Sequence, residues 1–177
     1  MIYKKNEIDK IVNLLKRNKI IAIKTDTVFG LMALASKENE LRINKLKGSP
    51  LDKKISIIFD SVDTVLNKLD LSLEKEKLIK SKLPGKYTFV VKMDLSKLGF
   101  DRMDFGIRVT TLDYLQEIIK KTGPLLASSC NKSGNSPCTK VKEIEKYFDI
   151  DIVEDEVIDN KPSTIIDIRD EIKIIRD

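Results

Sequence analysis

Ile20-Ile21-Ala22-Ile23-Lys24-Thr25-Asp26-Thr27-Val28-Phe29-Gly30-Leu31 joins an unbroken apolar run to a short polar loop. A strand covered on both faces has no room for hydroxyls or charges, so its side chains turn polar only where it ends. The pattern returns downstream, where Pro124-Leu125-Leu126-Ala127 leads into Ser128-Ser129-Cys130-Asn131-Lys132-Ser133-Gly134. In open α/β sheets ligands collect at the carboxyl ends of strands. The two loops are therefore expected to form two walls of one pocket.

Working outward, apolar residues at helical spacing (Ile8, Ile11, Val12, Leu15) follow Asn6 as cap and Asp9 in the first turn, which predicts a helix to about Asn18. Glu38 to Lys47 reads as a helix closed by Gly48 and Pro50. Ile55–Phe59, Tyr87–Met93 and Gly106–Thr110 read as strands, and Val62–Leu69 and Ser72–Leu83 as helices. Thr111 is expected to cap a helix bearing Leu112, Leu115, Ile118 and Ile119 on one face, ended by Gly123-Pro124. Val141–Phe148 reads as a short helix, and Thr164–Ile168 with Ile172–Arg176 as a terminal hairpin. Strands alternate with helices, while the hairpin and the 87–110 region imply antiparallel members. The expectation is one α/β domain, residues 1–177, around a mixed, twisted, open sheet with flanking helices.

Composition narrows the chemistry. The 177 residues are 41% hydrophobic, enough for one well-buried core. No stretch approaches the roughly 20 apolar residues of a membrane span, and Met1-Ile2-Tyr3-Lys4-Lys5-Asn6 lacks a signal-peptide core. A cytoplasmic protein without membrane attachment is expected. There is no histidine, which excludes Ser-His-Asp and Cys-His catalysis and His-metal hydrolases. Cys130 and Cys138 are too few for a four-ligand zinc site and are expected as free thiols. What remains is chemistry done by positioning and electrostatics, with no residue acting as a catalytic acid or base and no resident metal. The net charge of +5 comes from 33 basic and 28 acidic residues, and is compatible with binding nucleotides or RNA. Only six of the 33 are arginines, so Arg108, flanked by Ile107 and Val109, is not surface filler. A buried guanidinium must find an anion, either a ligand carboxylate or a structural ion pair within the sheet.

Several segments, in order along the chain, resemble one family. Lys24-Thr25-Asp26-Thr27-Val28-Phe29-Gly30-Leu31 is similar to the PT[DE]TVYGL segment of the YrdC-like family, and Lys47-Gly48-Ser49-Pro50-Leu51-Asp52-Lys53 to its KGRPxDK segment. Leu83-Pro84-Gly85-Lys86-Tyr87-Thr88-Phe89 resembles WPGPxT, Gly106-Ile107-Arg108-Val109 the family's arginine-bearing strand, Ser129-Cys130-Asn131-Lys132-Ser133-Gly134 its SANxSG loop, and Pro162-Ser163-Thr164-Ile165-Ile166-Asp167 its PSTIVD ending. The resemblance implies a YrdC-like twisted open sheet with a basic cavity. It also implies the activity of a threonylcarbamoyl-AMP synthase, a nucleotidyltransferase that combines L-threonine, bicarbonate and ATP with loss of pyrophosphate. Magnesium would accompany ATP, and a partner transferase would pass the threonylcarbamoyl group to tRNA.

Carried over by position, the resemblance puts Thr27, Arg108, Ser129 and Ser163 on threonine. It puts Lys47, Lys53, Asn131, Thr139 and Arg176 on ATP. Such a reaction needs alignment and charge neutralisation, worth about 7–11 kcal/mol for well-oriented reactants. Each residue also has a plainer role: Thr27 and Ser129 in turns, Asn131 as a left-handed turn residue, Lys47 at a helix end, Lys53 on the surface, Thr139 as cap of the 141–148 helix, and Arg176 at a fraying terminus. The chain departs from the family where Ser49 replaces an arginine and Lys24 a proline, so Lys24 is considered as a substitute charge. The YciO branch of the same superfamily also lacks that arginine, and Pro84-Gly85-Lys86-Tyr87-Thr88-Phe89 resembles its PGNYTF. The competing readings are a divergent YciO-like paralogue and a non-catalytic protein binding double-stranded RNA or a nucleotide.

Overall fold

The computed structural model describes residues 1–155 and 161–177. Along the chain run β1 (Ile2–Lys4), α1 (Ile8–Lys16), β2 (Ile21–Lys24), β3 (Phe29–Leu34), α2 (Lys37–Lys47), β4 (Ser56–Phe59), α3 (Val62–Leu66), α4 (Leu73–Lys82) and β5 (Tyr87–Lys92). A single 3-10 turn at Ser96–Leu98 precedes β6 (Asp104–Val109), α5 (Asp113–Thr122), β7 (Leu125–Ser129), α6 (Val141–Tyr147), β8 (Asp151–Glu154), β9 (Thr164–Asp167) and β10 (Lys173–Arg176). All ten strands join one open mixed sheet, ordered β1-β8-β2-β3-β7-β4-β6-β5-β9-β10.

Alternation splits the core between the two faces of this sheet. In β6, Phe105, Ile107 and Val109 enter the larger cluster, which also takes Ile43 of α2, Val65 of α3, Ile79 of α4 and Ile144 of α6. The opposite face carries Ile21, Ile23, Met32, Ile58 and Leu125, covered by Ile11 and Leu15 of α1 and Leu115, Ile118 and Ile119 of α5. Register pairs Ile58 with both Arg108 and Leu125, so Arg108 stands on the α1/α5 face. The two helices do not cover that whole face, and the cavity lies beside them.

The run 20–31 holds a correction. Phe29, Gly30 and Leu31 are not loop: they begin β3, which returns antiparallel beside β2, pairing Lys24 with Phe29. The reversal is tight because Thr25 acts as a side-chain turn. Its hydroxyl donates to the Val28 carbonyl at 2.6 Å and accepts the Thr27 N–H at 3.1 Å. Since β3 lies antiparallel between β2 and β7, both of those strands end where β3 begins, and Gly30 pairs with Ser129. The two polar loops therefore do meet.

Other boundaries moved by capping. The first helix starts from Glu7, not Asn6; α5 starts from Leu112, whose N–H is taken by the Thr110 hydroxyl at 3.2 Å; and α6 starts from Lys140 rather than Thr139. The second helix ends at Gly48 in the left-handed conformation, φ 67°, as its sequence requires. The short strands β1 and β8 had too few residues to show a period. The terminal hairpin forms, and β9 ties it to the sheet by parallel pairing with β5. Among the described residues no helix is long and apolar enough to cross a membrane.

Candidate functional site

On the uncovered part of the α1/α5 face lies a cavity of about 380 Å³. Its floor is made of outward-facing strand residues: Ser56 of β4, Thr88 of β5, Arg108 of β6, Ala127 and Ser129 of β7, and Ile165 of β9. Gly106, also on this face, keeps the floor open, since a Cβ there would stand 2.7 Å from the Ser56 hydroxyl and 3.2 Å from the Thr88 methyl. Thr27 closes one side, Asn131 and Asn135 another, and Ser163 with Arg176 a third. Three cations (Lys54, Arg108 and Arg176) line it, and among the described residues no carboxylate does.

Arg108 makes the structural ion pair its sequence context allowed and also borders the cavity. Its Nη2 donates to Asp26 Oδ1 at 3.1 Å and its Nη1 to the Thr27 hydroxyl at 3.3 Å, while its buried Nε has no partner among the described residues. It is thus both a structural ion pair and a cavity wall. Burial lowers its pKa, the Asp26 charge opposes that shift, and the nearby Arg176 charge adds to it. Asp26 also accepts the Thr111 N–H at 3.4 Å, which fixes the guanidinium to the start of α5. Asp26 is the one acidic residue in the Lys24–Leu31 segment, and the rule that a buried guanidinium needs an anion could have singled it out.

Ser163 shares a 2.8 Å hydrogen bond with Thr88, and its carbonyl accepts Arg176 Nη2 at 2.7 Å. Pairing of β10 with β9 holds Arg176 at the cavity rather than leaving it frayed. All four residues expected on threonine therefore border one space. Those expected on ATP do not gather so well. Only Asn131 and Arg176 line this cavity. Thr139 lines a second, wider concavity of about 780 Å³, which the first meets at Asn131, Asn135 and Pro137. Lys53 is exposed and lines neither; Lys54, its neighbour, does the lining.

Lys47 is 3% exposed, and its ammonium donates to the Ser129 carbonyl and to Asn131 Oδ1. Burial lowers its pKa to about 8. Asn131 is saturated: Oδ1 accepts from Lys47 and from the Ser129 hydroxyl, while Nδ2 donates to the Lys132 and Asn135 carbonyls at 2.8 and 2.9 Å. These bonds organise the loop. Asn131 is not left-handed, since Asn18 is the one non-glycine residue of positive φ among those described. Thr139 serves α6 differently from a cap, giving its own N–H to Glu143 at 2.7 Å. Lys24, 1% exposed, lies over the Phe29 ring and lines neither cavity, so it does not replace a missing phosphate contact. Ser49 is buried, and its hydroxyl has no partner among the described residues. Cys130 and Cys138 are buried free thiols.

A family model named Sua5_yciO_yrdC, described as "Telomere recombination", matches residues 13–177. A threonylcarbamoyl-AMP synthase of Aliivibrio fischeri is 30% identical over 146 residues, covering 78% of this chain and 79% of its own length. One of the same name from Actinobacillus pleuropneumoniae is 28% identical over 92% of this chain and 95% of its own. Among solved structures, P. abyssi Sua5 complexed with L-threonine matches 99% of this chain with a TM-score of 0.86 at 24% identity. The match spans 57% of that Sua5 chain. E. coli YciO matches all of this chain and 95% of its own with a TM-score of 0.86 at 20% identity. At such identities the structural likeness concerns the fold.

Proposed function

The chain belongs to the Sua5/YciO/YrdC family, and on that premise we propose that it is a threonylcarbamoyl-AMP synthase supplying an intermediate of tRNA modification. The observation that carries this reading is the meeting of Thr27, Arg108, Ser129 and Ser163 on one cation-lined cavity without a carboxylate among its described lining residues. Arg108 then holds the threonine carboxylate through guanidinium N–H groups that Asp26 and Thr27 leave unused. The hydroxyls of Thr27, Ser129 and Ser163 suit a small polar amino acid.

In this reading the threonine amine and bicarbonate condense with loss of water to a carbamate. A carbamate oxygen attacks the α-phosphorus of ATP; the bond from that phosphorus to the bridging oxygen breaks, and pyrophosphate leaves. Because the attacking group is already an anion, no histidine base is required. The nucleotide runs from the first cavity past Asn131 towards Thr139 in the second. Among the described residues no group of three or more Cys, Asp or Glu could hold a metal, so magnesium is taken to arrive on the phosphates. A transferase partner and tRNA, both outside this chain, complete the pathway of the reading.

A second reading is favoured by one observation: Ser49 stands buried where the resembled family has an arginine, and Lys47 is committed to the loop, so neither residue offers a phosphate a free cation. It holds the protein to be a YciO-like relative that binds an anionic ligand, a nucleotide or RNA, without turnover. Incubation with ATP, magnesium, bicarbonate and labelled threonine separates the two. The synthase releases pyrophosphate only when all are present and forms a labile labelled adenylate on chromatography. Pyrophosphate release indifferent to threonine, or none, rejects it.

A further inference from the structure

The three cations of the cavity are not equally free to act. Arg108 is fixed by Asp26 and Thr27, and Arg176 is turned onto the Ser163 carbonyl. Lys54 rests on a single carboxylate, Asp104, with 58% of its side chain exposed.

Its backbone, by contrast, is held firmly. The Lys53 carbonyl accepts Asn44 Nδ2 at 2.7 Å, and the Ile55 N–H donates to Glu40 Oε1 at 3.0 Å. Both side chains come from α2 and are buried, and Arg102 grips Glu40 through two hydrogen bonds of 2.7 and 2.6 Å. The peptide groups on either side of Lys54 are thus anchored, and Lys54, Ile55 and Ser56 line the wall in succession. A fixed origin with a flexible stem gives a point charge that can follow a ligand across a short arc.

Asp104 makes that movement inexpensive. It also accepts Arg169 at 3.3 Å, so it keeps a cation when Lys54 leaves. A carboxylate shared by two cations gives one up without being stranded, which is the main cost of breaking an ion pair.

We propose that Lys54 is a substrate-binding residue of this cavity, parked on Asp104 in the free protein and transferred to the polyphosphate chain of the nucleotide when it binds. The inference rests on the nucleotide reading above and deepens it. It assigns a phosphate contact to a lysine that the sequence motifs do not single out, next to Lys53, which lines neither cavity.

The test is calorimetric titration of the full chain with magnesium-ATP and, separately, with tripolyphosphate and L-threonine, at low salt. Lys54→Gln is expected to weaken both polyanions about tenfold, the loss of one charge-assisted contact. Threonine affinity should fall far less than that of either polyanion, the thermal midpoint should hold, and Lys54→Arg should restore most of the loss. Lys16→Gln, at an exposed position of α1, controls for net charge. Lys54→Gln binding polyanions like Lys16→Gln overturns the inference alone, as does a loss of threonine binding equal to that of ATP. A wild-type chain that binds neither polyanion overturns the nucleotide reading and this inference with it.

Discussion

The strand-borne side of the cavity and the Lys47–Lys53 segment were read from equally suggestive motifs, yet they fold to different effect. On the sheet, Thr88, Arg108, Ser129 and Ile165 share a face because alternation and register leave them no other place. In the 47–54 segment the backbone leaves a helix through a left-handed glycine, and no period constrains where each side chain goes. Lys47 turns inward to hold a loop, Ser49 is buried, Lys53 is exposed and lines neither cavity, and Lys54 reaches the first. Residues on a pleated strand inherit their direction; residues after a helix end depend on local hydrogen bonds.

The largest effect should come from breaking the sheet side. Arg108→Ala leaves Asp26 buried without its cation, and about 3–5 kcal/mol of stability should be lost in denaturant unfolding. Replacing both partners, Arg108→Met with Asp26→Asn, should recover most of that stability while threonine binding stays absent in calorimetry. Recovery of binding along with stability would make Arg108 a structural residue only.

Next comes the floor. Gly106→Ala brings a methyl against Ser56 Oγ and Thr88 Cγ2, at a cost of about 1–3 kcal/mol from overpacking, and should raise KM for threonine. Adding Ser56→Ala should relieve the stability loss. Unfolding midpoints of the single and double variants measure it, and strict additivity would contradict the contact.

A pH series sharpens the other side of the comparison. Burial takes the Lys47 ammonium from 10.5 to about 8, so the native protein loses a proton that the unfolded chain keeps between those values. Below about pH 8 both states are charged and the buried charge carries its full cost; that cost fades as pH rises towards 10.5, so this group's contribution to stability increases. Any part of ATP binding that uses the same charge should fall through about pH 8. Lys47→Met should abolish both trends, and identical pH profiles in the two proteins would contradict them.

The smallest effect is at Ser49. Ser49→Ala removes a buried hydroxyl that has no partner among the described residues and should stabilise by about 1 kcal/mol or less in thermal unfolding. Ser49→Arg, which adds a cation to the segment, should strengthen ATP binding if the phosphate side is underfilled; no gain would speak for the non-catalytic relative.

Much of the fold was legible because its signals were physical. Apolar runs gave β2 and β7, helical spacing gave α1 and α5, and Gly48 marked the end of α2. The turn at Thr25–Val28 was hidden because a hydroxyl in place of glycine reverses the chain, which concealed the start of β3. Arg108 announced itself as an arginine between apolar neighbours in a lysine-rich chain. Lys54 gave no such sign, since only the placement of α2 against the entrance of β4 distinguishes it from Lys53.

The most direct measurement is a crystal structure with L-threonine and a non-hydrolysable ATP analogue bound together. The account predicts the threonine carboxylate on Arg108 between Thr27 and Ser163, with the α-phosphorus within reach of the amine-bearing end. Threonine bound away from Arg108, or a nucleotide outside the Asn131 junction, would contradict it.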